Sequence, residues 1–267
     1  MTQNGNGEQA EPRGASPISN AVAVLRCFSV DEPLLGVTDI AVRVGLHKSS
    51  VSRILAILES EGLVERDEPT RRFRLGLGVI GIAGPLLADL DERRVAYPAL
   101  RELAEQTGET SALLLWNGSE AVSVEQIPSR HQVKHTTTLG TRYATTLSAS
   151  VQVFLASEPP ERVREILAHG SPGAPDDDEF EAYRRRLAEV SERGYAVNYG
   201  ETSDEEVGVA APVHDHRGDV VAAVLISAPR FRISPEQVTE LGKACAVTAA
   251  EVTRRLGGSA GSPGTRF

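Results

Sequence analysis

The sequence is poor in several residue types, and each shortage excludes a class of protein. Only two of its 267 residues are cysteines, Cys27 and Cys245, so neither a disulfide framework nor a zinc ribbon is expected, and a reducing compartment fits. Aromatic residues make up 4%, with Trp116 the single tryptophan. No apolar run is long enough to cross a bilayer, and the N-terminus lacks the features of a signal peptide. These shortages predict a cytoplasmic globular protein.

Positive charge is also scarce. The chain has 28 Lys and Arg against 37 Asp and Glu, which gives a net charge of −9. It is therefore no basic nucleic-acid coat, and any contact with nucleic acid must come from a local patch. The length suits two domains better than one.

Two short helices are predicted at the start of the ordered chain. The first begins behind Ser16, and its apolar residues recur at near-helical spacing. The second follows Thr38, whose hydroxyl can cap free backbone N–H groups, and it ends at Gly45. The apolar residues of the first helix are Ile18, Val22, Leu25 and Phe28.

The third predicted helix, from Lys48 to Glu61, has two different faces. One face is apolar at i, i+3, i+4, i+7 spacing and must meet the core, through Val51, Ile54, Leu55 and Leu58. The other carries small hydroxyls and one arginine, which can approach DNA closely and hydrogen-bond phosphates and base edges. The residues predicted to contact DNA here are Thr38, Lys48, Ser49, Ser50, Ser52 and Arg53.

A basic hairpin, "LVERDEPTRRFRL", follows the third helix. Three helices with a tight glycine turn, followed by such a wing, indicate a winged helix-turn-helix. The wing would straddle the DNA backbone with Arg71, Arg72 and Arg74 as its predicted contacts. The alternative is that the Ser/Arg face is a solvated helix surface and the wing a plain surface hairpin.

Residues 77–92 have helical apolar spacing but contain three glycines and Pro85. Glycine and proline both disfavour a helix interior, so a linker helix broken or kinked near Pro85 is predicted, with a hinge there. Beyond Val95, helices and strands mix without regular βαβ alternation. Hairpin turns are predicted at Asn117–Gly118 and Arg217–Gly218, and a capping box at Ser234 and Gln237 opens the last helix.

The predicted fold class is therefore α+β. The predicted segments are a disordered tail (1–16), a winged helix-turn-helix domain (17–76), a linker helix (77–92), an effector-binding domain (93–257) and a second disordered tail (258–267).

These motifs together resemble the IclR-type family of transcription regulators over residues 17–256. The stretch "GTRYATTLSASVQ" corresponds to the segment where the family usually has Gly-x-x-x-Pro-Leu-His-Ala-x-x-x-Gly-Lys, and it has Ala144, Val151 and Gln152 in place of the Pro, Gly and Lys. The resemblance implies a GAF-like effector domain that binds a small, often acidic or aromatic, metabolite. It also implies homodimers, often paired into tetramers, on double-stranded operator DNA, and no cofactor.

The resemblance places the effector-binding positions on the sheet and on the segment before residue 152. Several members have Asp, Cys and Ser where this chain has Asn198, Gly208 and Leu225, so the pocket is expected to offer fewer polar anchors. The six implied positions are Ala149, Ser150, Asn198, Gly208, Leu225 and Ser227.

Other constellations in the sequence suggest different chemistry. His214, Asp215 and His216 could ligate a metal together with His131 and His135, or form a polar hairpin turn, and the turn is favoured. No Gly-x-Ser-x-Gly elbow, Walker loop or dinucleotide fingerprint is present, so no catalytic residue is assigned. The predicted function is a DNA-binding transcription regulator controlled by a small effector. The alternative is a metabolite-binding or metal-dependent enzyme with an accessory helical module.

Overall fold

The computed structural model describes residues 16–136, 138–170 and 176–258, and the chain divides into two compact units between Asp89 and Leu90. Most of the two predicted disordered tails, 1–16 and 258–267, lies outside the described residues. The tail prediction is wrong for Gly258, which is buried and donates its backbone N–H to the Thr253 carbonyl at 2.9 Å. In the described ranges no helix is long and apolar enough to cross a membrane.

The first unit is a small helical core with a two-stranded antiparallel wing. A bridge between Leu35 and Phe73 adds a second short pairing to the wing. Its elements are α1 (Pro17–Leu25), α2 (Val37–Val44), α3 (Lys48–Ser60), β1 (Val64–Arg66), β2 (Phe73–Leu75) and α4 (Gly78–Asp89).

The observed helix ends agree with the sequence prediction in two places and differ from it in one. The Ser16 side chain accepts a hydrogen bond from the Ser19 N–H at 3.2 Å, and Gly45 ends α2 with a left-handed φ of 67°, both as predicted. The predicted cap at Thr38 is wrong. Helix α2 begins two residues earlier than predicted, at Val37, with Gly36 as the cap residue donating its N–H to Asp39 Oδ2 at 3.1 Å. Thr38 is therefore an exposed residue of the first helical turn.

The apolar pattern of α1 is only partly a core pattern. Ile18 is 77% exposed and Val22 41% exposed, whereas Val24 is fully buried and Phe28 nearly so. Helical spacing identifies an apolar stripe but does not say whether the same chain covers it.

The helix is not broken at Pro85, as one form of the prediction had it, and a kink there stays a prediction. Helix α4 continues through Pro85 to Asp89, and the backbone leaves helical geometry at Leu90, with φ −78° and ψ 80°. A new helix starts at Asp91, where two acidic residues in the first turn suit the positive end of the helix dipole. The interruption therefore lies five residues later than the proline suggested.

The second unit is built on a six-stranded antiparallel sheet with the strand order β5-β4-β3-β8-β7-β6. Its elements are α5 (Asp91–Thr107), β3 (Thr110–Trp116), β4 (Ala121–Ile127), β5 (Arg142–Tyr143), α6 (Ala149–Leu155), α7 (Pro160–Gly170), α8 (Asp177–Arg193), β6 (Ala196–Tyr199), β7 (Glu206–His214), β8 (Val220–Pro229), a 3₁₀ turn (Arg230–Arg232) and α9 (Pro235–Arg255).

Helices cover both faces of this sheet. Along β8, Val224 and Ile226 pack in a cluster with α5 and α9, while Ala223 and Leu225 pack in another with α6, α7 and α8. This alternation follows from the two-residue period of a strand. The predicted α+β class is confirmed, with strands and helices in the predicted mixture.

The turns of the second unit lie where the sequence predicted them, to within one residue. Between β3 and β4 the Asn117 N–H bonds to the Glu120 carbonyl at 3.1 Å, so the two residues enclosed are Gly118 and Ser119, one residue later than the predicted pair. Arg217 and Gly218 lie in the loop between β7 and β8, and the capping box at Ser234 and Gln237 is present.

Candidate DNA-binding surface and effector cavity

Helix α3 presents a polar surface because its apolar side is used inside the unit. Val51 and Leu55 are fully buried and Leu58 is 6% exposed, while Ile54 is partly buried. The residues of this helix that were predicted to contact DNA are all exposed: they are Lys48, Ser49, Ser50, Ser52 and Arg53. The tight turn from Gly45 to His47 orients α3 against α2, as in a helix-turn-helix.

The charges of this surface are not neutralised by the unit itself. Among the described residues, the side chains of Lys48 and Arg53 form neither an ion pair nor a hydrogen bond. By contrast, Arg43 at the end of α2 pairs with Glu32 at 2.7 Å. Lys48 and Arg53 can therefore bind phosphates or base edges without first breaking an ion pair.

The tip of the wing is a tight turn held by Asp67. Its carboxylate accepts a hydrogen bond from the Thr70 N–H at 3.0 Å and another from the Thr70 hydroxyl, and these bonds lower the pKa of Asp67. Arg71 adopts a left-handed φ of 58° and its N–H bonds to the Asp67 carbonyl at 2.8 Å. This turn projects the Arg71 side chain at the end of the hairpin.

The three predicted wing arginines differ in the hydrogen bonds and ion pairs that their side chains form within the protein. Arg71 makes no side-chain hydrogen bond or ion pair with the described residues. Arg72 donates to the Leu34 carbonyl at 3.4 Å, and Arg74 pairs with Glu65 at 3.0 Å. Arg71 is consequently the most available of the three for a phosphate.

A cavity of about 130 Å³ opens beside the sheet of the second unit. Four of the six effector positions that the resemblance implied line it, and Ser150 and Ser227 do not. Five lining residues were not anticipated from the sequence. The complete lining is Tyr143, Thr145, Ser148, Ala149, Asn198, Thr202, Glu206, Gly208 and Leu225.

Strand register brings the sheet part of this lining together. Asn198 lies opposite Gly208, and Gly208 lies opposite Ser227, so the three occupy one row across β6, β7 and β8. A Cβ on Gly208 would lie 3.8 Å from both Ala149 Cβ and Leu225 Cδ1, which is ordinary contact distance. The missing side chain of Gly208 thus contributes space to the cavity.

Two polar residues among the implied effector positions, Asn198 and Ser150, form hydrogen bonds within the protein. Asn198 Oδ1 accepts the Glu201 N–H at 2.9 Å, and its amide nitrogen donates to the Thr202 hydroxyl. Ser150 Oγ lies 3.0 Å from Ser148 Oγ. Asn198 therefore shapes the loop after β6, and Ser150 is a buried partner of a lining residue.

Gln152, which replaces the family's lysine, anchors the helix that carries Ala149. Its side chain is fully buried, donates to the Leu147 carbonyl at 2.9 Å and accepts from Arg186 Nε at 2.8 Å. Arg186 also forms an ion pair with Glu201, and this hydrogen-bonded pair raises the pKa of Arg186. A lysine at position 152 would place a second cation beside Arg186.

The histidine-rich hairpin is organised as a turn. Asp215 Oδ1 accepts the N–H groups of Arg217 at 2.8 Å and Asp219 at 3.0 Å, as a turn-forming aspartate does. The described residues contain no group of three or more His, Cys, Asp or Glu arranged to hold a metal ion.

A winged helix-turn-helix, joined in one chain to a sheet covered by helices on both faces, is the architecture of a two-domain transcription regulator. Residues 17–68 match the IclR helix-turn-helix domain, and residues 85–254 match the family described as bacterial transcriptional regulator IclR C-terminal. The chain belongs to the IclR family, in which a helix-turn-helix DNA-binding domain is joined to an effector-binding C-terminal domain.

Similar proteins carry regulator names. The HTH-type transcriptional repressor AllR of Klebsiella pneumoniae is 27% identical over 258 residues, covering 95% of this chain and 94% of that protein. A solved domain of an IclR-family regulator is 63% identical, covering 64% of this chain and 99% of that one, with a TM-score of 0.62. An IclR homolog from Microbacterium hydrocarbonoxydans, solved with 4-hydroxybenzoate, is 26% identical with a TM-score of 0.70, covering 90% of this chain and 99% of that one.

Proposed function

We propose that the exposed face of α3 reads operator DNA in the major groove while the wing contacts the flanking backbone. The observation that carries this is the division of α3 into a buried apolar side and an exposed polar side with two unpaired cations. Such a helix can supply arginine to guanine and hydroxyls to phosphates. The proposed contacts are Thr38, Lys48, Ser49, Ser50, Ser52, Arg53, Arg71, Arg72 and Arg74.

The cavity of the second unit is proposed to hold a small-molecule effector that alters operator affinity. The relative solved with 4-hydroxybenzoate supports a small ligand in this family, and the cavity and its Gly208 gap support one in this chain. A ligand can change DNA affinity only by binding two conformations unequally, which is typically worth ~1–3 kcal/mol. Leu90, where helical geometry is interrupted, is the backbone position at which two conformations would differ.

A homodimer, able to pair into a tetramer, is proposed as the DNA-binding species. Symmetric dimers read half-sites about one helical turn, or a multiple of it, apart. The first unit leaves large apolar side chains exposed that a second copy would cover, among them Ile18, Ile80, Ile82 and Leu86, each at least 62% exposed. The protein is proposed to act in the cytoplasm and to have no catalytic activity of its own.

The test is footprinting of the full chain on genomic DNA, followed by titration of the recovered site. We expect one symmetric sequence to be protected, at an affinity at least about a thousandfold above that for unrelated DNA. Metabolites suggested by the neighbouring genes are then added to the titration. Equal affinity for all sequences would contradict specific reading, and an operator affinity that no cavity ligand changes would contradict effector control.

A further inference from the structure

We infer that the effector of this chain is a small organic cation, held by its ammonium group at Glu206. The inference rests on the proposed function, because it names the ligand class of the same cavity. It departs from the acidic metabolites that the family resemblance implied. The inference is based on three observations: the charge of the cavity lining, the position of Glu206 and the volume of the cavity.

The lining of the cavity is negatively charged. Among its nine residues, Glu206 is the single carboxylate and none is Lys, Arg or His. A carboxylate ligand would therefore meet no cation in the lining and would face a like charge, which disfavours the ionised form of one of the two. An ammonium group would meet an acceptor of opposite charge, and charge-assisted hydrogen bonds of this kind are about twice as strong as neutral ones.

Glu206 is placed to meet a ligand by the two-residue period of β7. Glu206 and Gly208 are two residues apart on this strand and so lie on the same face of the sheet. Within the described part of the chain, the Glu206 side chain forms no hydrogen bond or ion pair, and the residue is partly buried. Its carboxylate is thus available, at the edge of the space that Gly208 leaves open.

The arginines of the surrounding elements do not pair with Glu206. Arg142 pairs with Glu120, and Arg186 pairs with Glu201. Arg230 lies over the Tyr199 ring at 4.9 Å and donates to the Asp204 carbonyl at 3.4 Å. The negative charge of Glu206 is consequently left for a ligand to compensate.

The remaining walls suit a short hydrocarbon group. Ala149, Leu225 and the Gly208 backbone form the apolar part of the lining. The volume of about 130 Å³ is close to that of an engineered cavity of about 150 Å³ that binds benzene. The ligand expected is therefore a monoamine of about six non-hydrogen atoms, with its carbon skeleton against the apolar wall and its nitrogen at Glu206.

The test compares ligands of the same carbon ring with the full chain. Cyclopentylamine, cyclopentanol and cyclopentanecarboxylate are titrated at constant ionic strength and followed by calorimetry, within a wider panel of small primary and secondary monoamines. We expect amines to bind and the matched alcohols and carboxylates to bind at least about tenfold more weakly. A carboxylate that binds as tightly as its matched amine, or a monoamine panel without any binder, would overturn the inference.

Two substitutions locate the binding. Glu206→Gln keeps the shape and removes the charge, and it should weaken amine binding at least about tenfold while Glu205→Gln, an exposed neighbour outside the lining, leaves it unchanged. Gly208→Ala adds a methyl group at ordinary contact distances, so the fold is retained and the space is reduced. It should weaken binding of every ring ligand. Amine affinity that neither Glu206→Gln nor Gly208→Ala lowers would place the amine elsewhere and contradict the inference.

The same samples separate this inference from the proposed function. Operator affinity of the ligand-free chain is measured alongside each titration. An amine that binds through Glu206 without changing operator affinity would support the ligand class and contradict effector control. Operator affinity that changes with a carboxylate but not with an amine would support effector control and contradict the ligand class.

Discussion

Gly78 donates its backbone N–H to the carbonyl oxygen of Gly62 at 3.0 Å, which fixes the start of α4 to the turn between α3 and β1. Gly76 also lies against this turn. Its N–H bonds to the Leu63 carbonyl at 2.9 Å, and a Cβ on Gly76 would lie 2.3 Å from the carbonyl oxygen of Gly62. The first turn of the linker helix is thus part of the DNA-binding unit. A conformational change along α4 would therefore have to begin beyond this first turn.

Gly78→Ala is expected to destabilise the first unit, because its Cβ would lie 2.6 Å from the Gly62 carbonyl oxygen. Overpacking against backbone typically costs ~1–3 kcal/mol. Gly81→Ala is the matched control in the same helix, where a Cβ meets nothing within 4 Å and alanine should add ~0.5–1 kcal/mol of stability. Denaturant unfolding measures both free energies. Equal effects of the two substitutions would show that the close approach to Gly62 has no energetic consequence.

The wing arginines are expected to act through phosphate charge. Replacing Arg71 and Arg72 by alanine should reduce the slope of log affinity against log salt by up to ~2, about 0.9 for each phosphate that the wing no longer neutralises. Arg74→Ala should change the slope less, because Arg74 is already paired with Glu65. Fluorescence anisotropy at several salt concentrations gives the slopes. An unchanged slope in the double variant would remove the wing tip from the interface.

The ion pair of Glu109 and Arg232 is expected to matter more for stability than those on the surface. The Glu109 carboxylate is 3% exposed and receives Arg232 Nε at 2.6 Å and Nη2 at 2.7 Å. Glu109→Ala should cost ~3 kcal/mol, the lower end for breaking a buried pair, since Arg232 is partly solvated. Glu181→Ala, which breaks an exposed pair with Arg184, should cost under ~1 kcal/mol. Similar losses in both variants, measured by denaturation, would refute the distinction.

His214 is expected to make the second unit less stable in mild acid. Burial lowers its pKa, and Asp215 offsets this in part. The unfolded chain, with a histidine pKa of ~6.5, therefore takes up a proton before the folded chain does. The contribution of His214 to stability is complete above about pH 6.5. It is lost as the pH falls from there toward the lower pKa that His214 has in the folded chain. His214→Gln should lose less stability between about pH 7.5 and 5.5 than the parent protein. A variant with the same pH dependence would show that His214 is not the group responsible.

Local patterns predicted much of this fold because the interactions they report are local. The two faces of α3, the end of α2 at Gly45 and the capping box of α9 depend on residues within one or two turns. Helix α6 escaped prediction because all seven of its residues, Ala149–Leu155, are buried between the sheet and α8. A helix without an exposed face need not show the apolar and polar sides of an amphipathic period.

The cavity was only partly predictable for a different reason. Family positions supplied Ala149, Asn198, Gly208 and Leu225, but Glu206 joins them only through the register of β7 and its two-residue period. Register is set by pairing between strands distant in sequence, which a single sequence does not display. The roles expected of Asn198 and Ser150 were likewise altered by partners in neighbouring loops, Glu201 and Ser148.

The central claim, that α3 reads operator sequence, is tested most directly by the affinity of Arg53→Ala for the footprinted operator and for unrelated DNA of equal length. Arg53 is exposed and lies opposite the buried Val51 and Leu55. If it binds a base, the substitution should cost ~1–3 kcal/mol on the operator and much less on unrelated DNA. An equal loss on both would assign Arg53 to a phosphate, and no loss on either would contradict the placement of α3 in the groove.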